Sequence, residues 1–112
     1  MSRTKLQVTS FQQRVYDATR GIPRGKVTTY KLLGAAIGCG SSRAVGQALR
    51  RNPFAPVVPC HRVIRSDLTL GGFGGKTSGP KLRRKIALLA KEGVHFTEGR
   101  LSEPNRVHTF SR

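Results

Sequence analysis

Three prolines at three-residue intervals, Pro53, Pro56 and Pro59, stiffen the middle of this 112-residue chain. Proline fixes φ and removes an amide donor, so no helix runs through the stretch from Asn52 to Ile64. The pairs Val57-Val58 and Val63-Ile64 flank Cys60-His61-Arg62, and the pattern predicts a brief extended segment. That segment presents a thiol beside an imidazole, which is a candidate arrangement for nucleophilic chemistry. Successive residues of an extended segment point to opposite faces, so Cys60 and His61 need a water or a third group to connect them. Residue chemistry alone leaves Cys60 either a nucleophile or a small buried hydrophobe.

The length suits one domain over residues 1–112, with 1–9 and about 98–112 expected to be loose. Net charge is +16, from 21 Lys and Arg against five acids, and its distribution is uneven. From Ala18 to Ser66 no Asp or Glu occurs, while Arg20, Arg24, Lys26, Lys31, Arg43, Arg50, Arg51, Arg62 and Arg65 all do. Such a face attracts a polyanion. Nucleic acid fits better than a membrane, because no basic amphipathic helix with bulky aromatics is present.

The two cysteines make no disulfide framework, and neither a signal peptide nor a transmembrane-length apolar run occurs. The expectation is an intracellular protein, in cytoplasm or nucleus. Neither CxxC nor HxxxH spacing is present, so no metal site is expected.

In chain order, Ser10 is placed to cap a helix to about Arg20, with Phe11, Val15, Ala18 and Ile22 on one face. Gly21 and Pro23 end it. A second helix is expected from about Tyr30 to Ile37, capped by Thr28 or Thr29 and stopped by Gly38. After the Cys39-Gly40-Ser41 turn a third runs from Arg43 to about Arg51, burying Ala44, Val45, Ala48 and Leu49. Arg43, Gly46, Gln47 and Arg50 remain on its other side. Helix, short turn and helix with small and basic exposed residues form a helix-turn-helix pattern. Gly46 costs about 1 kcal/mol in mid-helix relative to Ala. It reads as a close approach, either of the neighbouring helix or, as its Arg43 and Gln47 neighbours favour, of a DNA backbone.

The Gly71-Gly72-Phe73-Gly74-Gly75 run describes a loop able to lie against a flat ligand, and no GK[ST] follows to make it a phosphate loop. Ser78 or Gly79 precedes a last helix with Pro80 in its first turn. Leu82, Ile86, Leu89 and Ala90 are expected inward, with Lys81, Arg83, Arg84 and Lys85 solvated or facing phosphate. Glu92 sits in the last turn, where the helix dipole disfavours an anion by roughly 0.3–1 kcal/mol. It is either an ordinary surface acid or a functional one. A strand is possible over 94–96.

Pro59-Cys60-His61-Arg62-Val63-Ile64 resembles the active-site motif of the O6-alkylguanine-DNA alkyltransferases. The resemblance covers about residues 10–96. It includes Arg43-Ala44-Val45-Gly46-Gln47-Ala48, Asn52-Pro53, the glycine-rich loop, Leu88-Leu89-Ala90-Lys91-Glu92-Gly93, and the spacings from Asn52 to Cys60 and Cys60 to Glu92. It implies an α+β fold, mainly helical with a short strand segment: a winged-helix-like helix-turn-helix DNA-binding domain. Cys60 is then similar to the alkyl acceptor, His61 to the imidazole that removes the thiol proton through a water, and Glu92 to the carboxylate orienting that imidazole. Asn52 resembles the residue bracing the active-site turn, Tyr30 the tyrosine at the lesion base and its 3′ phosphate, and Arg43 the arginine that fills the hole left by the flipped base. Ala44, Gly46 and Gln47 share the DNA-facing helix, while Val63, Phe73 and Gly74 fall where the base pocket is lined.

The implied activity is DNA repair by stoichiometric alkyl transfer from O6-alkylguanine to Cys60, without a cofactor, by a monomer on the minor groove of double-stranded DNA. Two departures stand out. No counterpart of the N-terminal domain of many members precedes the match, and Gly74 replaces a serine, leaving only backbone to contact the guanine oxygen. The related alkyltransferase-like proteins carry Trp in place of the cysteine and bind lesions without repairing them. A lesion sensor and a plain helix-turn-helix regulator are the competing expectations.

Overall fold

The structure is a computed structural model that describes residues 8–55, 57–71 and 79–110. Helix α1 (Ser10–Arg20) begins from a capping box in which Thr9 and Gln12 satisfy each other's backbone amides. The cap therefore falls one residue before Ser10, because Gln12 occupies the position that reaches back to Thr9. Val15 and Ile22 are buried as expected, joined by Tyr16, whose hydroxyl donates to the Ala48 carbonyl at 2.6 Å. Thr29 caps α2 (Tyr30–Ala36) and Ser41 caps α3 (Ser42–Arg50), each accepting from an amide three residues on. The two helices close on Gly34, where a Cβ would lie 2.7 Å from the Cys39 carbonyl oxygen and 3.3 Å from Val45.

Strand β1 (Thr28–Thr29) pairs in parallel with β2 (Val63–Ile64). Neighbouring strand residues face opposite sides, so Val63 and Ile64 enter two different cores. Val63 packs with Val15, Tyr16, Leu33, Val45 and Leu49, and Ile64 with Val27, Leu89, Val94 and Leu101. Just before β2, Cys60–Arg62 forms one 3-10 turn rather than the expected extended segment. The Arg62 amide donates to the Pro59 carbonyl at 2.9 Å and the Val63 amide to that of Cys60. Three residues per turn send the Cys60, His61 and Arg62 side chains in three directions.

Helix α4 (Pro80–Lys91) has Pro80 in its first turn, as expected, but presents a different face. Lys85 is fully buried while Ile86 is 45% exposed and Ala90 is on the surface, so the expectation of a solvated Lys85 and inward Ile86 and Ala90 is corrected. The inward stripe includes Lys85, Leu89 and the partly buried Leu82, Leu88 and Glu92. The lysine is accommodated because its ammonium reaches backbone acceptors.

The expected loose tail is also corrected over 98–110. Strands β3 (Phe96–Thr97) and β4 (Arg100–Leu101) form a hairpin around Glu98 and Gly99, both with positive φ as a two-residue type I′ turn requires. Leu101 and Val107 anchor the segment in the second core, and Val107 bridges to Val27 beside β1. Residues 1–7 and 111–112 lie outside the described residues. The observed architecture is the α+β arrangement implied by the sequence.

Candidate active site

His61 leaves the 3-10 turn toward the end of α4, where its Nε2 lies 3.0 Å from Glu92 Oε2. Both side chains are only 6% exposed. Arg62 holds the same carboxylate with two parallel bonds, Nε to Oε1 at 2.9 Å and a terminal nitrogen to Oε2 at 2.8 Å. Its other terminal nitrogen donates to the Ile22 carbonyl at 2.9 Å, which ties the cluster to the end of α1. Burial alone would raise the Glu92 pKa, but the bonds from Arg62 and His61 outweigh it and hold the carboxyl at about 2. Glu92 is thus an anion at the C-cap of α4, its unfavourable place in the helix dipole offset by a bidentate guanidinium.

Burial lowers the His61 pKa below its ordinary value, against the opposing pull of Glu92. The imidazole is therefore neutral near pH 7. Its Nε2–H donates to the carboxylate, which leaves Nδ1 as the nitrogen able to accept a proton.

Asn52 closes the loop that delivers Cys60. Its Nδ2 donates to the Val58 carbonyl at 2.9 Å and its Oδ1 accepts from the Phe54 amide at 2.8 Å. The Cys60 amide then donates to Val58 as well, at 2.9 Å. Lys85 supports the other side, with Nζ 2.8 Å from the Val63 carbonyl and 2.9 Å from that of Leu70. Burial lowers its pKa to about 7, partly opposed by the nearby Cys60. Val63 itself is fully buried, with its carbonyl engaged by Lys85.

Tyr30 stands between α3 and the start of the glycine-rich run. A Cβ at Gly71 would lie 3.5 Å from its ring, and one at Gly46 would lie 3.9 Å from it. Burial raises the phenol's pKa and the Cys60 sulfur, when ionised, raises it further, so the hydroxyl remains a donor. Among the described residues Gly46 has no other neighbour within 4 Å, so packing of the described helices does not require a glycine there; Gly34 is the residue that meets that need. Arg43 and Gln47 are exposed on the same side of α3, while Ala44 is half-buried. Phe73 and Gly74 lie outside the described residues.

Between the C-terminal end of α3 and α4 opens a cavity of about 400 Å³ lined by Asn52, Val58, Cys60, His61 and Leu88, among others. Cys60 is half-buried at its wall. The thiol is thus reachable from outside, with a neutral base beside it and a fixed anion behind that base. Such a set can take a proton from a thiol and stabilise the resulting imidazolium.

Sequence reasoning missed Arg62 and Lys85 as parts of this cluster. A signal for Lys85 existed: it lies seven residues, about two helical turns, before Glu92, so an inward Glu92 carries Lys85 inward with it. Arg62 gave no comparable signal, because in an acid-free basic run it is one cation among many.

The family model for the DNA-binding domain of 6-O-methylguanine DNA methyltransferase matches residues 10–94. The chain belongs to this family. A methylated-DNA–protein-cysteine methyltransferase of Methanothermobacter thermautotrophicus is 50% identical over 86 residues, covering 77% of this chain and 46% of that protein. The corresponding protein of Pyrobaculum aerophilum is 51% identical over 74 residues, or 66% of this chain and 46% of its own length. This methyltransferase-family chain therefore spans about half the length of these curated relatives. Among solved structures, Mycobacterium tuberculosis OGT in complex with DNA superposes with a TM-score of 0.71 at 44% identity, covering 78% of this chain and 51% of that one. S. pombe Atl1, in complex with damaged DNA containing O6-carboxymethylguanine, gives 0.77 at 30% identity, covering 94% of this chain and all of that one. Among the described residues, no helix is long and apolar enough to cross a membrane and no cluster of three metal-ligating side chains occurs.

Proposed function

We propose that this chain repairs DNA by moving the alkyl group of O6-alkylguanine onto its own Cys60, one lesion per protein molecule. The observation that carries the reading is the half-buried Cys60 beside the His61–Glu92 pair, at 3.0 Å, in a member of this family. The protein binds double-stranded DNA from the minor groove through α2 and α3, and the lesion nucleotide leaves the stack while Arg43 fills its place. The charge of the acid-free span supports this docking. Tyr30, held as a neutral donor, meets the lesion base and its phosphate.

In the transfer step the Cys60 thiol loses its proton through a water to His61 Nδ1, and Glu92 stabilises the imidazolium. The sulfur lone pair attacks the alkyl carbon. An S–C bond forms, the C–O6 bond breaks with its electron pair moving into guanine, and guanine recovers one proton from the relay. The products are S-alkylcysteine and guanine, so no oxidant, reductant or cofactor enters. Asn52 and Lys85 act through the backbone, fixing the loop and strand on either side of Cys60.

Lesion binding without repair is the second reading, favoured by the superposition with the whole of Atl1. Titrating a duplex containing O6-methylguanine with the protein and counting restored guanine separates the two. Repair predicts a plateau at one guanine per protein. Selective binding with no restored guanine would select the sensor, and many turnovers per molecule would overturn both.

A further inference from the structure

The cavity beside Cys60 is rimmed by three cations, Arg50 from the end of α3 and Lys81 and Arg84 from the first two turns of α4. All three are exposed, no acid is among the described residues of its lining, and none of the three makes a salt bridge among the described residues. Arg50 also lies on the α3 side that carries Arg43 and Gln47, because positions 43, 47 and 50 share a helical face. A basic track therefore leads along α3 to the mouth of the cavity and continues across it onto α4. Arg83, on the same helix and equally exposed, does not line the cavity.

We propose that Lys81 and Arg84, with Arg50, form a phosphate-binding subsite for the lesion-bearing strand at the mouth of the Cys60 cavity. It carries the grip on DNA past the end of α3 and across the cavity mouth onto α4, which lies outside the helix-turn-helix. Cations around a concave opening, without a salt bridge among the described residues, concentrate positive potential there, where a backbone phosphate loses little by leaving water. Holding the strand on both sides of the opening keeps an extruded nucleotide facing the sulfur. The inference rests on the repair reading for its ligand.

The test is DNA affinity as a function of salt for the wild type, the double variant Lys81→Gln/Arg84→Gln, and Arg83→Gln, on one duplex containing O6-methylguanine. The double variant should bind more weakly and lower the log–log salt slope by roughly 2, one for each cation. Arg83→Gln should leave the slope where it was. Replacing single phosphates near the lesion with neutral methylphosphonates should weaken the wild type at one linkage to which the double variant is indifferent. An unchanged slope in the double variant, an equal drop in Arg83→Gln, or no coupled linkage would each overturn the subsite. A wild type that does not bind the lesion duplex would instead overturn the repair reading itself.

Discussion

His61 donates to Glu92 across 3.0 Å inside a cluster that leaves both side chains almost unexposed. A carboxylate in that place fixes the tautomer of the imidazole and offsets the positive charge it gains with a proton. Replacing Glu92 with Gln keeps the shape and removes the charge. Alkyl transfer should slow at least about tenfold, equivalent to roughly 1.4 kcal/mol of barrier. Affinity for undamaged duplex should barely change, since Glu92 lies behind His61. Transfer rates measured beside a DNA titration check both, and an unchanged rate would remove Glu92 from the relay.

Lys85 gives the protein a pH dependence of its own. Its folded pKa is lowered to about 7 from the ordinary 10.5, so between those values the unfolded chain binds the proton and the folded chain releases it. Stability contributed by this residue is therefore complete at high pH and is lost as pH falls toward 7. Chemical denaturation should show wild-type stability rising from about pH 7 to 10, and Lys85→Met should flatten that rise. The variant should also be less stable overall, because the buried Val63 carbonyl loses a donor at about 1–3 kcal/mol and the part-buried Leu70 carbonyl loses one as well. A parallel rise in both proteins would contradict the assignment.

Gly46 separates packing from binding. Among the described residues a Cβ there would meet only the Tyr30 ring at 3.9 Å, an ordinary contact. Gly46→Ala should raise stability by about 0.5–1 kcal/mol through helix propensity, while DNA affinity falls. Thermal melts and a duplex titration read the two effects. Lost stability would mean that the helices do need the glycine.

The helical half of the fold was legible because most of its caps and stops agree: Thr29 caps α2 and Gly21 and Gly38 end α1 and α2, while the α1 cap falls one residue before the expected Ser10. The Cys60 turn was not, since β-branched neighbours point to a strand and only the Pro59 and Cys60 carbonyls show a 3-10 turn. The face of α4 was misread because two inward residues are charged, and hydrophobic spacing does not register a lysine held by carbonyls. The folded tail was hidden by its polarity, although Leu101 and Val107 are enough to anchor it. Within the site, Cys60, His61, Glu92 and Asn52 were named through the resemblance to the alkyltransferase motif, since residue chemistry alone left Cys60 and Glu92 open. Arg62 joins them through geometry alone.

Arg43 is exposed in the first turn of α3, where it can reach DNA without disturbing the core. Arg43→Ala should impair repair of a paired lesion far more than transfer from free O6-benzylguanine, because only the duplex has a hole to fill. Comparing the two rates checks this, and equal loss on both substrates would show that the side chain does not enter the stack.

The central claim is that Cys60 is the acceptor, and peptide mass mapping tests it most directly. After incubation with a duplex containing O6-methylguanine, the peptide carrying Cys60 should gain one methyl group in place of the thiol hydrogen, at no more than one per molecule. The peptide carrying Cys39 should remain unmodified. A methyl group on Cys39, or an unmodified Cys60 in protein that has restored guanine, would contradict the account.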